Sequence, residues 1–187
     1  MIEAWFPTLI YRNNLGPVMN NEALYKKALE LKKSKPGHNW DSGVYNSLDA
    51  VDIRNDPYVK EFITVAKSHA HQFLTEIGGK KYKDIECRDC WFNVYEKGDY
   101  QEIHTHANSH LSVVYYVRVP ENSGQIIFSN PTYFSESMPI DDNSGSTRYT
   151  PGDSDIIIFK SNLAHRVSRS QSDQLRVSLA LNFLLTY

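Results

Sequence analysis

Three of the seven histidines, His104, His106 and His110, fall within seven residues, and His165 follows His104 by 61 positions. Imidazole is a ligand for Fe, Zn, Cu and Ni. In an extended chain, residues i and i+2 point the same way, so His104 and His106 can reach one ion. An antiparallel strand carrying His165 would complete a facial set. His69 and His71 have the same spacing, but they lie in a helical pattern, where side chains two apart diverge by roughly 200°. That pair is not expected to bind metal. His110 keeps the parity of His104 and His106, but Ala107-Asn108-Ser109 reads as a turn, so His106 is preferred as the ligand. Asp99 and Glu102 are alternative carboxylates, of which Glu102 has the matching parity. On spacing alone, His104 and His106 also read as ordinary sheet histidines.

Arg176-Val177-Ser178 begins eleven residues after His165. On a strand, Arg176 and Ser178 share a face with Ala180 and Asn182. A guanidinium gives a carboxylate two parallel charge-assisted hydrogen bonds, and a hydroxyl two residues on can add a third.

The elements that must position these residues come in two groups. Asn20 or Asn21 can cap a helix with Leu24, Ala28 and Leu31 on one face, stopped by Lys35-Pro36-Gly37. Asp56 is a good N-cap, with Pro57 at the favoured first position, for a second helix carrying Phe62, Ala66, Phe73 and Ile77. Gly78-Gly79 ends it. From about Glu86 the pattern turns to strands, at 87–95, 104–106, 111–118, 125–128, 156–159, 165–168 and 175–184. Short strands at this spacing imply an all-β sandwich or barrel. Tyr115-Tyr116 is expected to pack on both faces of its sheet. Residues 129–150 are polar and long for a loop, which makes them a candidate substrate lid. One domain is expected over 1–187, with a mixed N-terminal part at 1–85 and a β core at 86–187.

Bulk properties narrow the function. A net charge of −2 with no long basic run gives nucleic-acid binding no support. No apolar stretch is long enough to span a bilayer. The start Met1-Ile2-Glu3-Ala4-Trp5 lacks the basic and apolar parts of a secretory leader. Cys87 and Cys90 are the only cysteines, too few for a disulfide scaffold. As a lone Cys-x-x-Cys on a strand, their sulfurs face opposite sides. A cytoplasmic protein is the simplest reading. No nucleophile elbow or P-loop occurs.

Taken together, His104-Thr105-His106, His165 and Arg176-Val177-Ser178 resemble the Fe(II)/2-oxoglutarate-dependent oxygenases, whose pattern is His-x-Asp/Glu, a distant His, then Arg-x-Ser. Tyr95-Glu96-Lys97-Gly98 is similar to the Tyr-x-x-Gly lead-in of prolyl-hydroxylase-like members. The resemblance is strongest to a group of these oxygenases with no assigned substrate. It also covers Trp5-Phe6-Pro7-Thr8, residues 42–47, Trp91-Phe92-Asn93-Val94-Tyr95, Pro151-Gly152-Asp153 and residues 176–183. It implies a mainly β fold, a double-stranded β-helix (jelly roll, cupin-like) with an N-terminal helical buttress. It implies Fe(II) on His104, His106 and His165, and 2-oxoglutarate held by Arg176 and Ser178 with Tyr95 and Asn93. Trp91 and Asn182 are further expected pocket walls. Implied partners are 2-oxoglutarate, O2 and a substrate, either a small molecule or a protein side chain; many proteins of this type form dimers.

His106 stands where the family has a carboxylate. Three neutral imidazoles leave Fe(II) at +2, and a 2-oxoglutarate dianion then gives zero where a carboxylate-containing site gives −1. Two other readings therefore stay open. One is a three-histidine cupin-type dioxygenase that needs no 2-oxoglutarate, which would leave Arg176-Val177-Ser178 without a job. The other is a non-catalytic metal- or ligand-binding jelly roll.

Overall fold

A computed structural model describes residues 1, 3, 5–37, 41–79, 81–131 and 145–187. Its strands are β1 (Ile10–Asn14), β2 (Tyr45–Asn46), β3 (Asp84–Tyr95), β4 (Gln101–His104), β5 (Leu111–Arg118), β6 (Ile126–Ser129), β7 (Ser146–Tyr149), β8 (Asp155–Lys160), β9 (His165–Val167) and β10 (Arg176–Thr186). Helices α1 (Asn21–Ser34) and α2 (Pro57–Glu76) precede β3. The strands form a six-stranded sheet in the order β1-β8-β5-β10-β3-β2 and a four-stranded sheet in the order β4-β9-β6-β7. All pairings are antiparallel.

The helices start where local chemistry places them. The Asn20 side chain accepts from the Ala23 amide at 3.0 Å, and Asp56 accepts from Tyr58 and Val59 at 3.0 and 3.4 Å. Each bond satisfies an amide that the first helical turn leaves unpaired. Helix α1 buries Leu24, Ala28 and Leu31, and α2 buries Val59, Phe62, Ala66, Ala70, Phe73 and Leu74. None of the helices described is long and apolar enough to cross a membrane.

Strand parity divides the large sheet into two chemistries. Phe92 and Val94 of β3, Val113 and Tyr115 of β5, and Leu179, Leu181 and Phe183 of β10 join the helices in one apolar cluster. Their neighbours Asn93, Tyr95, Tyr116, Arg176 and Ser178 turn the other way and line a cavity. Tyr115 and Tyr116 thus serve opposite faces, as expected. The helices cover the apolar face, so the polar residues can gather on the face toward the small sheet.

Most strand ends lie within a few residues of the sequence reading, and two differences are larger. The strand expected at 104–106 runs instead from Gln101 to His104, because its ladder to β9 ends at the pair His104 and His165. Strand β7 lies at the end of the stretch read as loop, paired with β6. Its residues Ser146-Thr147-Arg148-Tyr149 have no apolar alternation, since an edge strand need not bury a face. The rest of the candidate lid, 132–144, lies outside the described residues.

Candidate active site

His104 ends β4 directly opposite His165 on β9. His106 sits two residues beyond the strand, held by its amide donating to the Ser161 carbonyl at 2.9 Å. The ring centroids of His104 lie 5.1 Å from His106 and 4.3 Å from His165, and those of His106 and His165 are 5.1 Å apart. One nitrogen from each falls within 4.8 Å of the others. Two nitrogens on one ion at bond lengths of about 2.1 Å are at most about 4.2 Å apart, so the cluster stands near ligating spacing.

The backbone orients two of the rings. His104 Nδ1 lies 2.7 Å from the Glu102 carbonyl, and His165 Nδ1 lies 2.9 Å from the Leu163 carbonyl. A carbonyl only accepts, so each Nδ1 carries the proton, the tautomer in which Nε2 is the nitrogen that can ligate a metal. Burial lowers the pKa of all three rings. His106 falls to about 4, by burial and then the neighbouring His104 charge. His165 falls to about 3 for the same leading reason. His104 is lowered by burial, against its bond to the Glu102 backbone and the Glu102 charge. Rings held neutral at pH 7 suit metal ligation.

The same cavity, about 200 Å3 in volume, is lined by Arg176. That is below the roughly 300–1,000 Å3 of clefts for drug-sized ligands, and it suits a small acid. Arg176 is 1% exposed. Its Nη1 donates to the carbonyls of Ser123 and Gly124 at 3.2 and 3.1 Å. Its guanidinium carbon lies 4.9 Å from the Tyr95 ring centre and 5.2 Å from that of Tyr116. Gly124 makes this seat. Its φ is +95°, and a Cβ there would stand 2.5 Å from the Ser168 carbonyl oxygen and 3.4 Å from Arg176 Nη1. Among the described residues, Arg176 Nε and the Tyr116 hydroxyl are buried with no hydrogen-bond partner in range, the hydroxyl interacting weakly with the Arg176 guanidinium beside it. Orphaned donors at one end of a cavity and three imidazoles in the same cavity fit a small carboxylate that also reaches a metal.

Tyr95 and Asn93 belong to a polar network beside this seat. The Tyr95 hydroxyl donates to Gln101 Oε1 at 2.5 Å. Asn93 Oδ1 accepts from Asn46 Nδ2 at 2.9 Å and from Gln101 Nε2 at 3.5 Å. Ser178 pairs with Asn93 across the β3–β10 ladder and lines the cavity. Burial raises the Tyr95 pKa and pushes Tyr116 up to about 12, so both phenols stay protonated.

All seven site residues expected from the sequence, His104, His106, His165, Arg176, Ser178, Tyr95 and Asn93, line this one cavity, as does Trp91. Asn182 does not. Its side chain is engaged by Ser112 Oγ at 2.9 Å, and Ala180, the register partner of Trp91, takes the wall position. Gln101, Tyr116 and Asn46 were missed. Tyr116 was legible from its parity with Val114, but Gln101 was not. Between Gln101 and His104 the chain carries a bulge, so Glu102 and Ile103 together face the single Arg166 of β9. Without it, Glu102 would share the inward face with His104.

The other candidates are engaged elsewhere. His110 Nδ1 accepts from the Leu185 amide, and Asp99 Oδ2 accepts from the Glu96 amide. His69 and His71 bond Tyr11 and Tyr82 separately. Cys87 and Cys90 are free thiols whose pKa burial raises, Cys87 to about 11.

Residues 89–182 match the family described as "Putative 2OG-Fe(II) oxygenase". The chain belongs to the 2OG-Fe(II) oxygenases. Members are enzymes that use Fe(II) and 2-oxoglutarate with O2 and a substrate, and the three-histidine cluster fits iron. No curated protein matches the sequence. Solved structures share the fold. A prolyl-4-hydroxylase from Pseudomonas putida is 13% identical with a TM-score of 0.65, over 94% of this chain and 92% of that one. A Trichoplax adhaerens prolyl hydroxylase, in complex with a hypoxia inducible factor oxygen degradation domain peptide fragment, is 15% identical with a TM-score of 0.62, over 94% and 83%. The epimerase SnoN, of nogalamycin biosynthesis, in complex with Fe3+, alpha ketoglutarate and nogalamycin RO, is 12% identical with a TM-score of 0.67, over 95% and 79%.

Proposed function

We propose that this oxygenase hydroxylates a C–H bond of a peptide side chain or small molecule, with His104, His106 and His165 holding Fe(II) and Arg176 holding 2-oxoglutarate. The observation that carries it is the common cavity, which joins three neutral imidazoles to a buried guanidinium with orphaned donors around it. When bound, iron and 2-oxoglutarate supply oxidative decarboxylation of the co-substrate coupled to oxygen insertion into the substrate.

The chain's own residues do the rest. Arg176, already bonded to two carbonyls through Nη1, keeps Nε for a carboxylate, and Tyr116 adds a hydroxyl beside it. Ser178 stands next along the same face. Tyr95 stacks on the guanidinium and is itself fixed by Gln101. Trp91 packs against His106 at 5.6 Å and shields that ring from water. A peptide substrate is the class supported by the Trichoplax likeness, in which a peptide occupies a protein of the same fold.

We further read 1–187 as one domain, without nucleic acid or membrane among its partners and with a homodimer as its assembly. Free Cys87 and Cys90 suit a reducing, cytoplasmic setting.

The test is an anaerobic titration with Fe(II) and then 2-oxoglutarate, followed by the visible metal-to-ligand charge-transfer band. A band in the wild type that fades in Arg176→Ala supports the reading. Metal binding with no band turns the reading to a three-histidine dioxygenase that needs no 2-oxoglutarate.

A further inference from the structure

The described residues that line the cavity include no carboxylate; Arg176 is the only one of fixed charge. With Fe(II) at +2, Arg176 at +1 and 2-oxoglutarate at −2, the filled site sums to +1. A metal-bound Asp or Glu at position 106 would bring the sum to zero. An uncompensated charge in a poorly hydrated site is costly.

Glu102 is a carboxylate two residues before His104. It lies in the β4 bulge, where two residues face one on β9. The bulge sends Ile103 outward, 59% exposed. Both carboxylate oxygens of Glu102 are instead buried and have no hydrogen-bond partner among the described residues. Its own carbonyl accepts from His104 Nδ1 at 2.7 Å, so the residue is fastened to a ligand ring. Its charge is also felt at that ring. A buried anion without a partner is unfavourable for a fold. A nearby divalent ion removes that penalty.

We propose that Glu102 is the counter-charge of the three-histidine site, kept beside the His104 ligand and off the metal. The carboxylate lost from position 106 is thus replaced by one that acts through a ligand, which makes Glu102 a positioning and charge-balancing residue. It rests on the reading that these histidines bind iron.

Glu102→Gln removes the charge and keeps the shape. The metal-free variant should melt at a higher temperature than wild type, because an unpaired buried anion is gone. Its affinity for Fe(II), measured by anaerobic titration of the full chain, should fall by about ten-fold or more, the size seen for groups that support metal ligands. The Fe(III)/Fe(II) potential should move positive. In a His106→Asp background, where the metal has its own carboxylate, the affinity loss from Glu102→Gln should shrink toward nothing. Unchanged affinity and potential, an equal loss in both backgrounds, or a metal-free variant that melts lower or fails to fold would each overturn the proposal. A wild type that binds no Fe(II) would instead refute the metal reading of the histidines, and this inference with it.

Discussion

Tyr95 and Arg176 are register partners across the β3–β10 ladder, and the guanidinium carbon of one lies 4.9 Å from the ring centre of the other. The tyrosine hydroxyl is turned away to Gln101. Its ring therefore braces the arginine while its oxygen is occupied, and the hydroxyl beside the guanidinium comes from Tyr116.

Arg176→Ala should reduce 2-oxoglutarate affinity by about 2–5 kcal/mol, at least roughly thirty-fold, the cost of removing one partner of a buried charge pair. Fe(II) affinity should hold within a few-fold. Calorimetry with each ligand separates the two, and equal losses would mean that the cavity itself had collapsed.

The two tyrosines should part company. Tyr116→Phe removes a buried hydroxyl whose one interaction among the described residues is a weak one with the Arg176 guanidinium, so the melting temperature of the free protein should change little while 2-oxoglutarate binding weakens. Tyr95→Phe breaks the bond to Gln101 and should cost about 1 kcal/mol of stability. Thermal melts with and without 2-oxoglutarate decide this.

His165→Ala should abolish Fe(II) binding, since two remaining imidazoles form no facial set. His106→Asp should retain it if position 106 is a ligand. Full affinity in His165→Ala would remove that residue from the site.

The histidines also predict a pH dependence. His106 at about 4 and His165 at about 3 lie below the ordinary value near 6.5, chiefly through burial. Between these values the unfolded chain binds more protons than the folded one. Their contribution to stability is therefore full above about pH 6.5 and declines as pH falls toward about 3. Melts of the metal-free chain should show this slope, and His165→Phe should flatten it.

Gly124→Ala should destabilise the fold by about 2–4 kcal/mol, through its positive φ and a clash with the Ser168 carbonyl. It should also weaken 2-oxoglutarate binding, because the backbone at Gly124, whose own carbonyl seats Arg176, would have to shift. Urea unfolding and ligand titration check both effects.

Much of this site was legible in one dimension. Side-chain parity is a local property of extended chain, so Arg176, Ser178, Asn93 and Tyr95 could be assigned to one face of their strands from sequence alone. Helix caps are equally local, which is why Asn20 and Asp56 marked their helices. The order of histidines and the Arg-x-Ser pair carried the family resemblance. Tertiary structure decided the rest, because register and bulges depend on what packs across the sheets. The ladder from β4 to β9 brings His165 opposite His104. The β4 bulge puts Gln101, not Glu102, into the cavity. Ser112 engages the Asn182 side chain away from the cavity lining, and the turn at Gly124 seats the arginine. None of these has a periodic signal, since each is one extra residue, one side-chain bond or one close backbone approach fixed by distant partners.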